Sequence, residues 1–136
     1  MMCVRNSLWM GWWPSVLLGI VLTIQGCAST PQRSDEEIVA EKSQVRWNAL
    51  VAGDYKTAYE MISPAGRSVV TQEGWSNTLK RDFWKGARVK SVKCASPELC
   101  DVELEIEYEF MGRRTKTPFP EKWVKQDGSW WFLLQH

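Results

Sequence analysis

Residues 100–110 read CDVELEIEYEF, in which apolar and acidic side chains alternate without a break. A period of two over this length predicts a β-strand that buries one face and leaves the other in water. The apolar face carries residues 102, 104, 106, 108 and 110, and the solvent-exposed face carries glutamates 103, 105, 107 and 109. A one-sided strand of this kind is typical of an antiparallel sheet.

Two dipeptides after this strand predict hairpin turns. Asp127-Gly128 is a strong signal for a two-residue turn, and Met111-Gly112 is a plausible one. With residues 89–94 as a first strand, the sheet has four strands, the others covering 100–110, 113–126 and 129–135. The third is expected to bend at Pro118 and Pro120, because proline cannot donate to the ladder.

The turns also fix which residues pair. Glu109 is expected opposite Arg114 and Glu107 opposite Lys116, so that the acidic row meets cations across the strand. The second turn aligns two further pairs, Trp123 with Phe132 and Val124 with Trp131. Because side chains alternate between the two faces of a strand, these pairs predict which residues face the helices. They are Leu104, Phe119, Trp123, Trp130, Phe132 and Leu134.

Helical signals fill the chain before the sheet. Ser34 and Glu37 form a capping box that opens a helix running to about residue 52, where Gly53 stops it. Asp54 caps a second helix over residues 55–62, and a third is predicted over residues 71–84. The first helix is expected to bury Ile38, Val45, Ala49 and Ala52, and the third carries Trp75, Leu79 and Phe83 at four-residue spacing.

The first 26 residues have the character of a targeting segment. Arg5 is the one charge before an apolar stretch over residues 8–24, and Gly26 precedes Cys27. This end resembles the lipobox of bacterial lipoproteins, with Gln25 as a departure from the usual pattern. The resemblance implies cleavage before Cys27, acylation of that cysteine with chains such as palmitate, and, because Ala28 follows, sorting to the outer membrane. The alternative is an uncleaved anchor or a plain secretion signal, although 17 apolar residues are marginal for spanning a bilayer.

The remaining sequence resembles the nuclear transport factor two-like family, a cystatin-like α+β cone. Three segments carry the resemblance: WNAL at 47–50, GDYKTAY at 53–59 and WVKQDGSW at 123–130. It implies an α+β fold with three N-terminal helices packed on a curved antiparallel meander of about four strands. The chain then divides into a signal peptide at 1–26, a tether at 27–33 and the domain at 34–136. The rival is another small α+β layer with helices on one sheet face.

Charge excludes one class of partner. All 16 acidic residues and all but one of the 17 basic residues follow Cys27, so that part of the chain is formally neutral. A neutral domain lacks the basic footprint of a nucleic-acid-binding protein. Nucleic acid is therefore not expected as a partner.

Cys94 and Cys100 flank a five-residue turn between two predicted strands. In the oxidising periplasm such a pair is expected to form a disulfide, worth about 2 kcal/mol in the chain-entropy model. The alternative is a redox or metal pair. With a single histidine, at the end of the chain, a metal site would lack ligands, and no metal or cofactor is predicted.

A pocket between helices and sheet is implied by the family, whose isomerases and dehydratases place an acid or base beside a tyrosine there. The candidates in this sequence are Tyr55, Tyr59, Trp75, Asp82, Phe83, Tyr108 and Trp123. Catalysis would need a carboxylate with a tuned pKa beside a hydroxyl donor. The plainer interpretation makes the tyrosines core residues and leaves Asp82 in solvent.

The last strand offers a candidate interface, because Val124, Trp131 and Leu133 fall on the face away from the helices. An exposed apolar cluster often marks a partner site, unless long aliphatic side chains such as that of Lys122 cover it.

The sequence thus predicts a lipid-anchored, periplasm-facing module of the cell envelope. It would be non-catalytic and would bind an envelope protein, a second copy of itself or a small apolar ligand. The alternative is a pocket enzyme of isomerase or dehydratase type.

Overall fold

The computed structural model describes residues 32–135, which form four helices followed by a four-stranded antiparallel sheet. The strands are ordered β1-β2-β3-β4, each paired with its sequence neighbour. The predicted signal peptide, Cys27 and most of the tether lie outside the described residues. The elements are α1 Asp35–Ala52, α2 Tyr55–Glu60, α3 Pro64–Val69, α4 Gln72–Thr78, β1 Trp84–Ser96, β2 Leu99–Phe110, β3 Arg113–Gln126 and β4 Ser129–Phe132.

The ends of α1 are those the sequence predicts. The Ser34 hydroxyl accepts from the Glu37 backbone at 3.2 Å, and the Glu37 carboxylate accepts from the Ser34 backbone at 3.1 Å. Gly53 ends the helix in the left-handed region at φ 75°, where glycine avoids the penalty of a Cβ. The capping box and the glycine stop are confirmed.

The buried face of α1 differs from the prediction. Val45 is 42% exposed and Ala52 is also exposed, whereas the polar Ser43 and Arg46 are buried. Apolar periodicity was the wrong guide because this helix turns polar side chains toward a buried carboxylate on the sheet. The residues that α1 buries are Val39, Ser43, Arg46, Trp47, Ala49 and Leu50.

The helical region contains four helices where three were predicted. The second helix ends at Glu60 instead of residue 62, and Ser63 and Pro64 then begin α3, because the Ser63 hydroxyl accepts from the Gly66 backbone at 3.1 Å and proline suits the first helical turn. The third predicted helix, now α4, ends at Thr78 instead of reaching residue 84. The chain turns through Asp82, which has φ 57°, and enters β1 at Trp84.

The sheet register agrees with the prediction at every pair named from the sequence. Glu109 lies opposite Arg114, and Trp123 opposite Phe132. Both hairpin turns place two successive residues at positive φ, with 51° and 72° at residues 111 and 112 and 50° and 74° at residues 127 and 128. Such turns match the twist of the flanking strands and fix the pairing.

Strand lengths differ from the prediction mainly at the two outer strands. β1 begins five residues earlier than residue 89, and β4 ends at Phe132 instead of residue 135. The segment before α3 covers the edge of β4: Phe132 donates to the Met61 carbonyl at 2.8 Å, and Ser63 donates to the Phe132 carbonyl at 2.9 Å. This short parallel bridge closes one side of the sheet.

The core lies between the helices and one sheet face, a space called here the cone interior. Parity predicted this face correctly for Leu104, Trp123, Trp130 and Phe132, all of which are buried. Phe119 is 36% exposed and places its ring edge against Trp47, with 5.4 Å between ring centroids. The predicted core face is therefore confirmed, with Phe119 at its margin.

Cys94 and Cys100 are paired across β1 and β2 and joined in a disulfide. Cys100 is fully buried and Cys94 is half-buried against the core.

Within residues 32–135, no helix is both long and apolar enough to cross a membrane.

Candidate functional site

The most unusual group in the cone interior is a buried carboxylate, Glu121, which is 1% exposed. It lies on β3 between Phe119 and Trp123 in the alternation, so its side chain shares their inward face. An ionised group without partners in such surroundings would cost far more than a small domain can offset. The groups that contact Glu121 therefore show whether its carboxylate stabilises the fold or is free to transfer a proton.

Four donors converge on Glu121. Its Oε1 accepts from Arg46 Nη1 at 2.5 Å and from Trp47 Nε1 at 2.7 Å. Its Oε2 accepts from Ser43 Oγ at 2.9 Å and from Trp123 Nε1 at 3.1 Å. A carboxylate offers about four lone-pair positions. All of them are used here, which leaves no position from which Glu121 could take a proton from a ligand.

Arg46 is the ionic partner of Glu121 and is 4% exposed. Its guanidinium carbon lies 3.6 Å from the ring centroid of Phe132, which places the cation on an aromatic face. Burial lowers the pKa of Arg46, and the negative charge of Glu121 opposes that shift. An arginine remains protonated under such shifts, so the pair is ionic.

The Nε atom of Arg46 is buried and has no hydrogen-bond partner among residues 32–135. Arg46 also forms part of the wall of a cavity of about 170 Å³ between the helices and the sheet. Apolar side chains supply most of the remaining wall: Trp75, Leu79, Phe119, Phe132 and Leu134, together with Pro120.

The seven predicted pocket residues do not form one cluster. Tyr59 donates its hydroxyl to the Val70 carbonyl at 2.7 Å, and its ring centroid lies 5.9 Å from that of Trp75. The ring of Phe83 stacks on that of Tyr108 at 4.9 Å.

The other predicted pocket residues lie apart from these two pairs. Tyr55 packs half-buried against the core, Asp82 is exposed in a turn, and Trp123 belongs to the Glu121 cluster. Within the described chain, no tyrosine hydroxyl is hydrogen-bonded to a carboxylate. Trp75 alone of the seven lies in the wall of the Arg46 cavity.

Sequence reasoning missed Ser43, Arg46 and Glu121. The parity that placed Phe119 and Trp123 inward also places Glu121 inward, and that was the available signal. Arg46 and Ser43 lie three residues apart on α1, which puts them on one helix face. A buried acid opposite a polar helix face predicts this kind of cluster.

The candidate interface residues Val124, Trp131 and Leu133 are all half-buried. Trp131 is closer to the helices than expected, since Lys42 Nζ lies 5.6 Å and the Arg67 guanidinium carbon 5.2 Å from its ring centroid. Its indole N–H donates to the Gln126 carbonyl at 3.3 Å. Two cations from α1 and α3 therefore reach this ring at the edge of β4.

Two of the four glutamates in the acidic row on β2 are paired with cations on β3. Glu107 accepts from Arg114 at 3.1 Å and Glu105 accepts from Lys116 at 3.1 Å. These pairs are diagonal, because each cation bonds the glutamate two residues along β2 from the position directly opposite on the same face. Long side chains can reach that far on a twisted sheet.

In the part of the chain that the structure describes, no three His, Cys, Asp or Glu residues are grouped closely enough to hold a metal ion.

Comparison with known proteins identifies the fold. No protein-family model and no curated protein matches the sequence. A crystal structure of a SEC-C motif containing protein from Psychrobacter arcticus is similar with a TM-score of 0.60 and 18% identity, over 76% of this chain and 62% of that chain. This chain thus spans less than two thirds of the length of that protein.

Two further structures have similar folds. RPA3114, a SEC-C motif containing protein from Rhodopseudomonas palustris, has a TM-score of 0.56 and 16% identity over 68% of this chain and 73% of its own. An NTF2-like transpeptidase from Campylobacter jejuni has a TM-score of 0.51 and 12% identity over 70% of this chain and 96% of its own. These likenesses concern the fold alone: residues 32–135 have an NTF2-like α+β fold, which is the fold that the sequence resemblance implied.

Proposed function

We propose that this protein is a non-catalytic binding module of the bacterial cell envelope. In this proposal Cys27 carries the lipid, the outer membrane holds the lipid, and the domain faces the periplasm. The domain binds a small apolar ligand in the cone interior or a protein on its outer sheet face. The anchor rests on the sequence at Gly26-Cys27, and the binding role rests on the geometry of the domain.

The saturation of Glu121 is the observation that carries the binding role. A pocket enzyme of isomerase or dehydratase type needs a carboxylate or imidazole that is free to move a proton. The buried carboxylate of this cone has four donors on its two oxygens. That arrangement suits a group that holds α1 onto β3.

The packing of tryptophan side chains points the same way. Trp47, Trp75, Trp123 and Trp130 are all buried in the core. The ring of Trp47 also meets those of Trp84 and Phe119, each with 5.4 Å between centroids. A cone filled in this way leaves a small apolar cavity, which favours a ligand held by contact over a substrate held beside a base.

Self-association is the protein contact that we propose for the outer face. Rows of glutamate facing each other would repel, but Glu105 and Glu107 are already paired with Lys116 and Arg114. These two ion pairs reduce the repulsion between the acidic rows of two copies. The half-buried Trp131 supplies the type of residue that often anchors an interface.

Fatty-acid labelling of cells tests the anchor. We expect the full-length chain to incorporate a labelled fatty acid and to fractionate with the outer membrane. Cys27→Ser is expected to lose both the label and the membrane association, whereas Cys3→Ser, a matched change within the predicted signal peptide, keeps both. Equal labelling of Cys27→Ser and the unmodified chain would remove the lipid anchor from the proposal.

A further inference from the structure

The hairpin between β2 and β3 leaves two neighbouring large apolar side chains in water. Phe110 is 61% exposed and Met111 is 88% exposed, whereas Ile106, on the same face of β2 as Phe110, is buried. β1 begins at Trp84, which pairs with Tyr108, so the hairpin extends beyond the end of β1. We call residues 110–113 the hairpin tip. Exposed apolar side chains grouped in this way mark a contact surface more often than scattered ones do.

Two half-buried rings lie beside the hairpin tip. The ring of Phe83 stacks on that of Tyr108, with 4.9 Å between centroids, and the Phe83 carbonyl accepts from the Glu109 N–H at 3.4 Å. Tyr108 and Phe110 lie on the same face of β2, because side chains two residues apart along a strand share a face. The turn that leads into β1 is thus held next to the hairpin tip, and it brings its own charged residues there.

Positive charge prevails around the hairpin tip. Arg113 pairs with Phe110 across the turn, and Lys80 Nζ lies 5.2 Å from the ring centroid of Phe83. Neither cation forms an ion pair within residues 32–135. Over residues 80–85 and 109–113 together, four cations and two acids have no ionic partner in that part of the chain: Lys80, Arg81, Lys85 and Arg113, and Asp82 and Glu109. The chain after Cys27 is formally neutral, so this excess of positive charge is local.

The shape and charge of this surface fit an anionic phospholipid bilayer. Apolar side chains enter the boundary between headgroups and acyl chains, while lysine and arginine keep their charges beside the phosphates. A standard protein interface buries about 800 Å² per partner, which is more than a two-residue turn supplies. A lipid surface requires no such matched area, since each inserted side chain and each nearby cation adds to the attraction.

The hairpin tip and the start of α1 lie at opposite ends of the domain. Lys125 forms an ion pair with Asp35 at the start of α1, and its N–H donates to the carbonyl of Glu98, just before β2 begins. From there β2 runs for 12 residues to Phe110, about 40 Å at the usual rise per residue. A domain attached to a membrane through the chain before Asp35 therefore has its hairpin tip on the side away from that attachment.

We infer that the hairpin tip docks on an anionic phospholipid bilayer that faces the one holding Cys27. Phe110 and Met111 enter the lipid interface, and Arg113 and Lys80 lie against lipid phosphates. This contact goes beyond the proposed binding function. It rests on the proposed anchor only for which of two bilayers the hairpin tip meets.

Energy transfer between two vesicle populations tests this contact. The full-length chain is reconstituted into neutral phosphatidylcholine vesicles that carry a donor fluorophore, and flotation measures its incorporation. Acceptor vesicles contain phosphatidylcholine with or without phosphatidylglycerol, and they carry no protein, so self-association of the chain gives no signal. We expect transfer only to acceptors with phosphatidylglycerol, and less of it as the salt concentration rises, because salt screens the cations.

Variants of the hairpin tip identify the side chains that make the contact. Phe110→Ser combined with Met111→Ser should raise the acceptor lipid concentration at half-maximal transfer about tenfold or more, because two apolar side chains no longer leave water. Arg113→Gln should raise it about fivefold, the effect of one cation near an anionic surface. Two controls should leave it unchanged: Val69→Ser, an exposed apolar position on α3, and Lys93→Gln, an exposed cation near the other end of β1.

Three results would contradict the inference. Equal transfer to both kinds of acceptor would remove the role of anionic lipid. Full transfer by the chain with Phe110→Ser and Met111→Ser would reduce the contact to a general attraction between cations and lipid. No transfer by an incorporated chain would favour a protein with an acidic surface as the partner of the hairpin tip.

Failure of the anchor gives a different result. A chain that does not float with neutral vesicles counts against attachment through Cys27. Its flotation with added phosphatidylglycerol vesicles then measures the contact of the hairpin tip by itself, with the same variants and the same expected losses.

Discussion

The carboxylate of Glu121 joins two elements, since Ser43, Arg46 and Trp47, which donate to it, belong to α1 and Glu121 itself belongs to β3. Replacing one partner of a buried ion pair leaves the other charge uncompensated. Glu121→Gln keeps the shape but removes the negative charge and turns an amide N–H₂ toward existing donors. We therefore expect it to lower the free energy of unfolding by about 3–5 kcal/mol.

Urea denaturation of Glu121→Gln measures that loss, and Glu105→Gln is the matched control. Glu105 makes an exposed pair with Lys116, so its replacement should leave the free energy of unfolding nearly unchanged. If the two variants lose the same small amount of stability, the Glu121 cluster is not what holds α1 to the sheet.

The Glu121 cluster also marks where sequence reasoning stopped. Strand alternation identified inward positions by their apolar residues, and a glutamate between Pro120 and Lys122 did not stand out. The same bias misassigned the buried face of α1, where Arg46 was passed over and Val45 chosen. Buried charge can be inferred only when both partners are placed, and that requires the tertiary pairing of helix and strand.

Asp35 gives the protein a predicted acid sensitivity. Its carboxylate accepts from Trp130 Nε1 at 2.9 Å and from Lys125 Nζ at 2.9 Å. The hydrogen bond from Trp130, followed by that from Lys125, holds the pKa of Asp35 below its ordinary value of 3.8. A lowered folded-state pKa contributes stability above the ordinary value, and this contribution is lost as pH falls through the folded-state pKa.

We therefore expect the unfolding free energy of the unmodified chain to fall more steeply below pH 3.8 than that of Asp35→Asn. Above that pH the variant should be the less stable of the two. Glu36→Gln, an exposed change in the same helical turn, should follow the unmodified chain. Parallel pH profiles for Asp35→Asn and the unmodified chain would show that these contacts do not stabilise the ionised form.

At the scale of elements, local signals succeeded where a short motif decides the backbone. The capping box of α1 and the two turns at residues 111–112 and 127–128 are of this kind, and they fix one helix start and two registers. The end of α4 is different. Four-residue apolar spacing favoured a helix through Phe83, but Trp84 pairs with Tyr108 and Phe83 stacks on it. Contacts with β2, distant in sequence, determine that boundary.

The free edge of β1 is protected by one side chain of α1. Gln44 donates to the Ala87 carbonyl at 3.0 Å and accepts from the Val89 N–H at 3.0 Å. An open edge strand is a template for pairing with another chain. Gln44→Ala should therefore speed amide exchange at Val89 and cost about 1–3 kcal/mol of stability, because two backbone groups lose their partner.

Hydrogen exchange followed by mass spectrometry or NMR measures the effect at β1. Asn48→Ala is the control, since Asn48 is exposed and, among residues 32–135, its one side-chain hydrogen bond is the one it accepts from Gln44. Unchanged protection at Val89 in Gln44→Ala would mean that the edge is guarded in another way.

At the scale of the whole domain, the order of elements was predictable because the meander joins each strand to its sequence neighbour. Such a topology follows from turns alone. What closes the sheet was not predictable: the bridge from residues 61–63 covers β4, and Gln44 covers part of β1. Both contacts join segments distant in sequence, and no periodicity in the chain reports them.

Self-association through the outer face is the prediction that concerns the domain as a unit. Trp131 lies at the edge of β4 under two cations, and it is half-buried while its core-side neighbours Trp130 and Phe132 are buried. Further along the sheet, Glu105 and Glu107 are paired with Lys116 and Arg114, which reduces the repulsion that a second copy would meet. Truncating an anchoring tryptophan often costs about 2 kcal/mol or more of binding, roughly a thirtyfold loss of affinity.

Analytical ultracentrifugation of the full-length chain in density-matched detergent, combined with thermal melting, separates the two roles that Trp131 can have. We expect the unmodified chain to dimerise, and Trp131→Ala to remain monomeric with little change in its melting temperature. Val69→Ala, which truncates an exposed apolar residue on α3, should dimerise normally. A large loss of melting temperature in a Trp131→Ala variant, with both chains monomeric, would instead assign this side chain to the core. In that case Lys42 and Arg67 are its packing partners, and a protein partner would have to dock elsewhere on the domain.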